Sequence, residues 1–340
     1  MTKATIKAIE YYLPQTVLTN QELAELFPEW SVEKITDKTG IEQRHVVKDA
    51  ECASDLAYQA ALKLFESRAC APQDIDFLLF CTQSPDYFLP TTACILQDKL
   101  NIPTTAGALD FNLGCSGFIY GLSMAKGLIE TGQAKNILLL TAETYSKYLN
   151  PKDKGNRTIF GDGASATLIS AASQEKDMIG PFVFGTDGKG YKNLIVPAGG
   201  ARQPYSKADL KDTTDTNGNT RNDSNLFMNG GEIFAFTLKQ VPLAINALLE
   251  KSSKTIDDID FFVFHQANSF MLDFLRKKSK IPSEKFIISL KEYGNTVSST
   301  IPIALKNSMQ NPDIDCKKKT IMLVGFGVGY SWSACLVELP

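Results

Sequence analysis

The stretch Asp74-Ile75-Asp76-Phe77-Leu78-Leu79-Phe80 reads DIDFLLF, and the chain reads DIDFFVF again at 258–264, an offset of 184 residues (258 − 74 = 184). The same offset carries the apolar run ILLL at 137–140 onto IMLV at 321–324. Short apolar runs are typical of strands that are buried on both faces of a sheet. The two matches predict an α/β unit that occurs twice in the chain. The alternative is that unrelated buried strands resemble one another.

A third match joins the two copies at a more polar place. An offset near 180 carries Gly114-Cys115 onto Gly294-Asn295. Apolar side chains at 118, 119, 122, 125, 128 and 129 follow helical spacing, which predicts a helix that begins just after Cys115 and stops near Gly132. We expect two halves, 1–174 and 175–340. The polar stretch 198–225 predicts a long surface loop, with a mobile flap over a site as one interpretation.

Composition excludes several classes of protein. The 340 residues carry 35 Lys+Arg against 38 Asp+Glu, a formal charge of −3, so the chain lacks the basic footprint of a nucleic-acid-binding protein. With 44% hydrophobic and 21% charged residues the composition is globular. The apolar runs have the length of buried strands and fall short of the roughly 20 residues of a membrane span. We therefore expect no nucleic acid and no membrane as partners.

The cysteines and histidines limit the chemistry further. The seven cysteines form no CxxC pair, and the two histidines, His45 and His265, form no HExxH motif. These counts predict neither a disulfide framework nor a metal site. Seven cysteines without a signal peptide are typical of free thiols in a reducing cytoplasm.

Cys115 is a candidate nucleophile because it precedes a helix. A helix N-terminus offers unpaired N–H groups and a positive dipole end, which lower the pKa of a thiol. The small neighbours Gly114, Ser116 and Gly117 suggest close approach of a substrate. A buried structural thiol is the competing interpretation, and we assign that role to Cys81 and Cys94.

A cysteine nucleophile usually needs a partner, and His265 is the better placed of the two histidines. It directly follows the buried strand 258–264, where α/β folds place their sites, whereas His45 lies in a polar stretch. Asn295 takes the position in the second copy that Cys115 takes in the first. A satisfied structural histidine and a turn asparagine are the alternatives for these two residues.

The glycine-rich stretch 325–329, GFGVG, superficially resembles a nucleotide-binding loop. Too little chain follows it to form a helix and a second strand. It is better interpreted as a tight turn that presents a backbone N–H group.

Taken together, these residues resemble the beta-ketoacyl-acyl-carrier-protein synthase III family of the thiolase-like superfamily. Seven motifs occur in the family's order: KTGI with RH at 38–45, GCSGF at 114–118, FGDGA at 160–164, MNG at 228–230, HQAN at 265–268, GNT at 294–296 and the glycine turn at 325–329. The resemblance implies an α/β thiolase-like fold, a five-layer αβαβα sandwich. It also implies a catalytic triad of Cys115, His265 and Asn295.

The implied reaction is a decarboxylating Claisen condensation. The cysteine takes an acyl group from acyl-CoA or acyl-carrier protein and passes it to malonyl-acyl-carrier protein, without a metal or redox cofactor. The resemblance implies that the N–H groups of Cys115 and Val328 hold an oxyanion. It also implies that Phe326 shields the thiolate and that Asn268 orders a water. The absence of a third histidine argues against the elongating synthases, which use two catalytic histidines.

The substrate-binding positions depart from the family pattern. Trp30, Lys38 and Lys154 stand near the adenine-binding positions, but lysine cannot stack or fork as arginine does. Phe270 replaces an arginine for carrier-protein docking, with Lys277 and Lys278 nearby. Leu89 stands where the partner subunit of a homodimer caps the acyl pocket. These departures leave open an alternative, an acyltransferase that forms esters or amides in polysaccharide or secondary-metabolite biosynthesis. A non-catalytic synthase partner is disfavoured because the triad is intact.

Overall fold

The computed structural model describes residues 2–339 and contains sixteen strands within that range. In chain order the strands are β1 (Thr2–Tyr12), β2 (Thr16–Thr19), β3 (Gln43–Val46), β4 (Phe77–Cys81), β5 (Gly107–Phe111), β6 (Asn136–Glu143), β7 (Gly163–Ser173), β8 (Ile179–Thr186), β9 (Leu194–Ile195), β10 (Thr213–Thr214), β11 (Thr220–Arg221), β12 (Phe227–Met228), β13 (Phe261–Phe264), β14 (Phe286–Ile287), β15 (Thr320–Gly327) and β16 (Ser331–Glu338).

Nine α-helices lie in the described part of the chain. They are α1 (Asn20–Leu26), α2 (Val32–Thr39), α3 (Ala53–Glu66), α4 (Thr92–Lys99), α5 (Gly117–Glu130), α6 (Lys154–Arg157), α7 (Gly230–Ser252), α8 (Ser269–Lys278) and α9 (Thr300–Gln310). The predicted helix after Cys115 is α5. Its C-cap is Thr131, and Gly132 follows in the left-handed region with φ +76°, a conformation that glycine adopts without strain.

Two five-stranded sheets share one topology. The first has the order β1-β7-β6-β4-β5 and the second β8-β16-β15-β13-β14. In each sheet the third strand pairs in parallel with the fourth and the fourth with the fifth, whereas the other two pairs are antiparallel. The register repeats as well, because Phe77 lies opposite Ile137 in the first sheet and Phe261 lies opposite Ile321 in the second. The offset of 184 carries Phe77 onto Phe261 and Ile137 onto Ile321, so the predicted duplication is confirmed.

The helices form three layers around the two sheets. Helices α5 and α9 contact strands of both sheets and fill the middle, while α3 and α4 cover the outer face of the first sheet and α7 covers that of the second. This is the expected αβαβα sandwich. Segment 174–178 joins β7 of the first sheet to β8 of the second. The predicted division at 174/175 falls in this connection and stays a prediction.

Helix α7 corrects one expectation. By length and composition it is apolar enough to cross a membrane, although the sequence analysis expected no such segment. In the fold its apolar side packs on β15, β16 and β8, where eight of its residues are buried. Its apolar composition is explained by this packing, because the helix covers the outer face of the second sheet.

The loop 198–225 is largely exposed, as predicted, but it is tied to the body. The Arg221 guanidinium pairs with the fully buried carboxylate of Asp153 at 2.5 Å and with Asp215 at 3.1 Å. Four of its residues reach inward and line a cavity of about 770 Å³, which is described below.

Candidate active site

Cys115 lies in the turn between β5 and α5, and its side chain is 6% exposed. Ser116 is the N-cap residue of α5, so the thiol sits just outside the helix N-terminus. The sequence suggested that the flanking glycines leave room for a substrate, but neighbouring side chains occupy that space. A Cβ at Gly114 would collide with the Gln83 Oε1 atom, and one at Gly117 would collide with the Cys81 sulfur. The glycines let neighbouring side chains pack against the nucleophile's loop.

The turn between β15 and β16 covers the sulfur from the other half of the protein. The backbone N–H groups of Val328 and of Cys115 itself lie near enough to the Cys115 sulfur to lower the pKa of the thiol. Gly327 allows this approach, because a Cβ there would lie 2.8 Å from the sulfur. The glycine stretch 325–329 therefore presents an N–H group at the thiol, the geometry expected of an oxyanion hole.

The protonation state of the thiol corrects the sequence-based expectation. Burial raises the pKa of Cys115 to about 12, and the N–H groups at the sulfur oppose this only in part. The helix N-terminus therefore does not produce a resident thiolate. At neutral pH Cys115 is a protonated thiol that must lose its proton during the reaction.

His265 follows β13 directly and is buried. Burial lowers the pKa of its imidazole to about 3, partly opposed by a hydrogen bond with the Val297 backbone, so the ring is neutral at pH 7. Its Nδ1 lies 2.8 Å from Thr300 Oγ1, which also lies 3.0 Å from the Val297 carbonyl. The hydroxyl can accept from Nδ1 or donate to it, so either neutral tautomer is satisfied and Nε2 remains for the substrate.

Asn295 is held so that one end of its amide is free. Its Oδ1 accepts a hydrogen bond from Val297 N–H at 2.9 Å, which leaves Nδ2 as a donor. Its backbone pairs with the 159–161 segment of the other half, through Ile159 O at 2.9 Å and Gly161 N at 3.1 Å. Gly294 before it has φ +68° and no room for a side chain between Arg44 and Ile159. Two family motifs, FGDGA and GNT, thus meet at this asparagine.

Val297 joins the three predicted catalytic residues. Its N–H donates to Asn295 Oδ1, and its carbonyl accepts from the Thr300 hydroxyl that also contacts His265 Nδ1. Its Cγ1 lies 3.1 Å from the Cβ position of Gly114, next to Cys115. It is fully buried and has φ +54°, a strained conformation for a β-branched residue. Nothing in the sequence signals this backbone conformation, and the sequence analysis missed the residue.

The supporting residues divide between the site and its scaffold. The Phe326 ring packs edge-to-face on the His265 ring with centroids 5.5 Å apart. Asn268 caps helix α8, with its Oδ1 accepting from Met271 N–H at 2.8 Å, so only its Nδ2 is left for a water. His45 lies on β3 with Nδ1 2.6 Å from the Pro14 carbonyl and does not belong to the site. Cys81 is buried as expected, whereas Cys94 is exposed.

A cavity of about 770 Å³ opens beside the nucleophile. Val328 and Asn112 line it next to the Cys115 turn, and aromatic side chains and the 198–200 segment line the remainder. The loop 198–225 therefore covers this cavity through Ala198, Gly199, Gly200 and Tyr205. A volume of this size fits the acyl part of a thioester substrate.

The predicted substrate-binding residues lie in two places. Lys38 Nζ lies 4.7 Å from the centroid of the Trp30 ring, and Lys154 Nζ pairs with Glu29 Oε1 at 2.5 Å, so these residues form one surface cluster. Leu89 lies elsewhere, in the loop after β4, and is 82% exposed. Lys38 lies over one face of the indole, where an adenine would stack.

Phe270, which stands where the family has an arginine, belongs to an exposed aromatic cluster. Phe270 stacks on Phe234 with centroids 5.6 Å apart, and Phe274 packs against both rings. Lys277, one of the two expected substitutes for the arginine, pairs with Asp273 at 2.6 Å.

Glu143 at the end of β6 is a buried acid that the sequence analysis did not consider. Its carboxyl accepts hydrogen bonds from Gln83 N–H, Ser84 Oγ and Ser298 Oγ at 3.0 to 3.1 Å. Burial raises its pKa to about 8, against the lowering effect of these donors. It joins the loop after β4 to the turn that presents Asn295. An acidic residue at the end of an apolar strand is the signal that could have found it.

The raised pKa of Glu143 predicts a pH-dependent stability. The glutamate of the unfolded chain titrates near pH ~4.3, so between that pH and about 8 the folded protein holds a proton that the unfolded chain has lost. The free energy of unfolding therefore falls as pH rises through this window. We expect the wild type to lose about 3 kcal/mol relative to Glu143→Gln between pH 5.5 and 8. Urea unfolding at several pH values measures this difference. Parallel curves for the two proteins would contradict it.

Comparison with known proteins gives one consistent answer. The family of 3-oxoacyl-[acyl-carrier-protein (ACP)] synthase III matches residues 109–188, and the family of its C-terminal domain matches residues 249–339. A beta-ketoacyl-[acyl-carrier-protein] synthase III of Clostridium perfringens (strain ATCC 13124) is 40% identical over 339 residues, with 100% of both chains covered. The enzyme of that name from Caldanaerobacter subterraneus is 37% identical over 96% of this chain and 95% of its own.

The fold agrees as closely as the sequence. A crystal structure of a 3-oxoacyl-(acyl-carrier-protein) synthase III superposes with a TM-score of 0.97 at 55% identity, covering 99% of this chain and 100% of the other. The chain therefore belongs to the beta-ketoacyl-[acyl-carrier-protein] synthase III family, the condensing acyltransferases of fatty acid biosynthesis with the thiolase-like fold.

Proposed function

We propose that the protein condenses an acyl thioester with malonyl-acyl-carrier protein, through an acyl group carried on Cys115, to give beta-ketoacyl-acyl-carrier protein and CO2. One observation carries the proposal. Val297 holds the amide oxygen of Asn295, so that Nδ2 is left as a donor beside a neutral His265, and the same residue packs against the Cys115 turn. A nucleophile and two neutral donors at one point are what this reaction needs.

In the first step the Cys115 sulfur forms a bond to the thioester carbonyl carbon and the bond to the departing thiol breaks. The thiol proton passes through His265 to the departing thiolate, since the raised pKa of Cys115 excludes a resident thiolate. The N–H groups of Cys115 and Val328 hold the oxyanion, because both act on the sulfur closely enough to lower the pKa of the thiol.

In the second step malonyl-acyl-carrier protein loses CO2, and the enolate that remains attacks the acyl group on Cys115. His265 Nε2 and Asn295 Nδ2 donate to the thioester oxygen, where negative charge develops. For this step the imidazole carries its proton on Nε2, and the Thr300 hydroxyl donates to Nδ1. Both donors are neutral, so they stabilise this charge without binding the substrate carboxylate as a counter-ion. Phe326 packs edge-to-face on the imidazole and so fixes the plane of that ring. By the family resemblance it also shields the sulfur.

The donor of the acyl group is CoA or a carrier protein, and the surface cluster of Trp30, Lys38 and Lys154 is the proposed contact for its phosphorylated end. Lys38 carries a positive charge over the indole ring and can move aside for an adenine or bind a phosphate. We place Asn268 as an N-cap whose Nδ2 can hold a water near the site. The reaction as proposed needs no metal or redox cofactor. No cluster of three or more metal-ligating side chains occurs among residues 2–339.

We also propose that the protein acts as a homodimer in the cytoplasm. In the loop after β4, Tyr87 and Phe88 line the cavity of their own chain, whereas the exposed Leu89 is not among its lining residues within 2–339. An exposed apolar residue at this place suits insertion into the pocket of a partner subunit. The seven free cysteines suit a reducing compartment.

Product analysis tests the proposed function against ester or amide transfer. The protein is incubated with acyl-CoA or acyl-carrier-protein donors, with and without malonyl-acyl-carrier protein, and in the presence of alcohol and amine acceptors. We expect beta-ketoacyl-carrier protein and CO2 only when the malonyl substrate is present. Acyl transfer to an alcohol or amine without malonyl would support the alternative. The relatives are named beta-ketoacyl-[acyl-carrier-protein] synthase III, after the product of the condensation, which favours condensation over ester or amide transfer.

A further inference from the structure

A chain of hydrogen-bonded polar side chains runs along one wall of the acyl cavity. Gln83 Oε1 accepts from Tyr145 Oη at 2.6 Å, and Gln83 Nε2 donates to Asn112 Oδ1 at 3.1 Å. All three residues line the cavity. A cavity that held only alkyl chains would gain nothing from an amide on its wall, because a polar group that faces an apolar ligand loses its water without replacement.

The amide lies close to the reacting atoms. The Cβ position of Gly114, the residue before the nucleophile, is in contact with Gln83 Oε1 and lies 2.9 Å from Val328 Cγ1. Val328 provides the N–H group at the Cys115 sulfur. An acyl group on Cys115 that extends into the cavity therefore passes the Gln83 amide within its first few carbon atoms.

The amide is also fixed in place from several sides. The Gln83 N–H donates to Glu143 at 3.0 Å, and the Gln83 carbonyl accepts from Tyr148 Oη at 3.1 Å. Tyr145, which holds the amide oxygen, is itself buried against Phe160 with ring centroids 5.2 Å apart. A group with this many constraints is preorganised and costs little entropy when it binds a ligand.

Gln83 still has hydrogen-bonding capacity to spare. A primary amide has two N–H donors and two acceptor positions, and one of each is used by Asn112 and Tyr145. One donor and one acceptor remain. An alkyl chain would bury them unpaired, whereas an oxygen substituent on the acyl chain would satisfy them.

We propose that Gln83 is a specificity-determining residue that selects acyl groups carrying a hydroxyl or carbonyl oxygen close to the thioester. The inference rests on the proposed function, since it concerns the acyl group that Cys115 accepts. The substrate class is a short 3-hydroxyacyl or 3-oxoacyl thioester. The transfer is a thioester exchange, in which the sulfur–acyl bond to Cys115 forms, the bond to CoA breaks, and the thiol proton leaves with CoA.

The test compares matched donors that differ by one oxygen. Intact-mass spectrometry measures the rate of acylation of Cys115 by butanoyl-CoA, 3-hydroxybutanoyl-CoA and 3-oxobutanoyl-CoA. We expect the two oxygenated donors to react at least about tenfold faster than butanoyl-CoA. In Gln83→Leu this preference should disappear. The double variant Gln83→Leu/Tyr145→Phe should behave alike and leaves no tyrosine hydroxyl unpaired. Because each result is a ratio within one protein, a partial loss of folding does not affect it.

Tyr205→Phe is the control, since it removes a hydroxyl that lines the same cavity from the loop 198–225 and not from the Gln83 segment. Its preference should equal that of the wild type. Acylation by butanoyl-CoA at an equal or higher rate in the wild type would overturn the inference and leave the proposed function standing. A preference unchanged in both Gln83 variants would also overturn it. Failure of every thioester to acylate Cys115 would overturn the proposed function, and the inference with it.

Discussion

Replacing Cys115 by alanine is expected to abolish the acyl-enzyme and to lower the rate of condensation by at least about 10⁴-fold, as loss of a nucleophile does in other covalent catalysts. The thiol is the only group in the proposed mechanism that carries the acyl chain. Intact-mass spectrometry after incubation with acyl-CoA measures the acyl-enzyme directly. The wild type should gain one acyl group, and Cys115→Ala should gain none.

The same variant should retain decarboxylation of malonyl-acyl-carrier protein. His265 and Asn295 are held by Val297 and Thr300 and not by the thiol, so their donors stay in place without the sulfur. Release of CO2 without condensation is therefore expected. Cys81→Ala is the matched control, because it removes a neighbouring buried thiol that donates to the Leu113 carbonyl. An acylated Cys115→Ala protein would refute the assignment of the nucleophile.

Replacing Asn295 by aspartate is expected to separate the two half-reactions. The carboxylate keeps an oxygen for the Val297 N–H, but it puts negative charge where Nδ2 donated. Loss of one oxyanion donor costs about 10²–10³-fold in rate, and repulsion of the enolate adds to this. We expect condensation and decarboxylation to fall by at least about 10³-fold, while acylation of Cys115 changes by no more than a few fold.

Stopped assays of each half-reaction measure this separation. Acylation is followed by mass with acyl-CoA alone, and decarboxylation by CO2 release from malonyl-acyl-carrier protein. Asn268→Asp serves as the comparison, since that residue caps α8 with the oxygen that both side chains share. Equal losses in acylation and decarboxylation would show that Asn295 supports the fold of the site and is not a donor to the enolate.

Much of the fold could be predicted because its determinants are local. The apolar parts of 74–80 and 258–264 lie in β4 and β13, and the runs 137–140 and 321–324 lie in β6 and β15. Their common offset reappears as a common register. The turn between β5 and α5 could likewise be predicted, since apolar residues at helical spacing start just after Cys115. The family resemblance and the fold class are confirmed.

The properties of the site that depend on tertiary packing could not be predicted. Helix position suggested a low pKa for Cys115, but burial by the other half of the protein raises it. Gly114 and Gly117 suggested room for substrate, but Gln83 and Cys81 occupy that space. The strained φ of Val297 leaves no trace in the sequence.

The roles of the catalytic and substrate-binding residues stay predictions. The structure brings His265 and Asn295 to one turn beside Cys115, and it places Trp30, Lys38 and Lys154 together on the surface. Which thioester they receive depends on side chains such as Gln83 and Tyr145, whose contacts join segments about 60 residues apart in the chain.

One measurement tests the central claim most directly. The protein is acylated with an acyl-CoA, digested and mapped by mass spectrometry, and a second sample is chased with malonyl-acyl-carrier protein labelled with ¹³C in its free carboxyl group. The account predicts one acyl group on the peptide that contains Cys115, and its disappearance with equal amounts of labelled CO2 and beta-ketoacyl-carrier protein. An acyl group on another residue, or a chase that removes it without labelled CO2, would contradict the account.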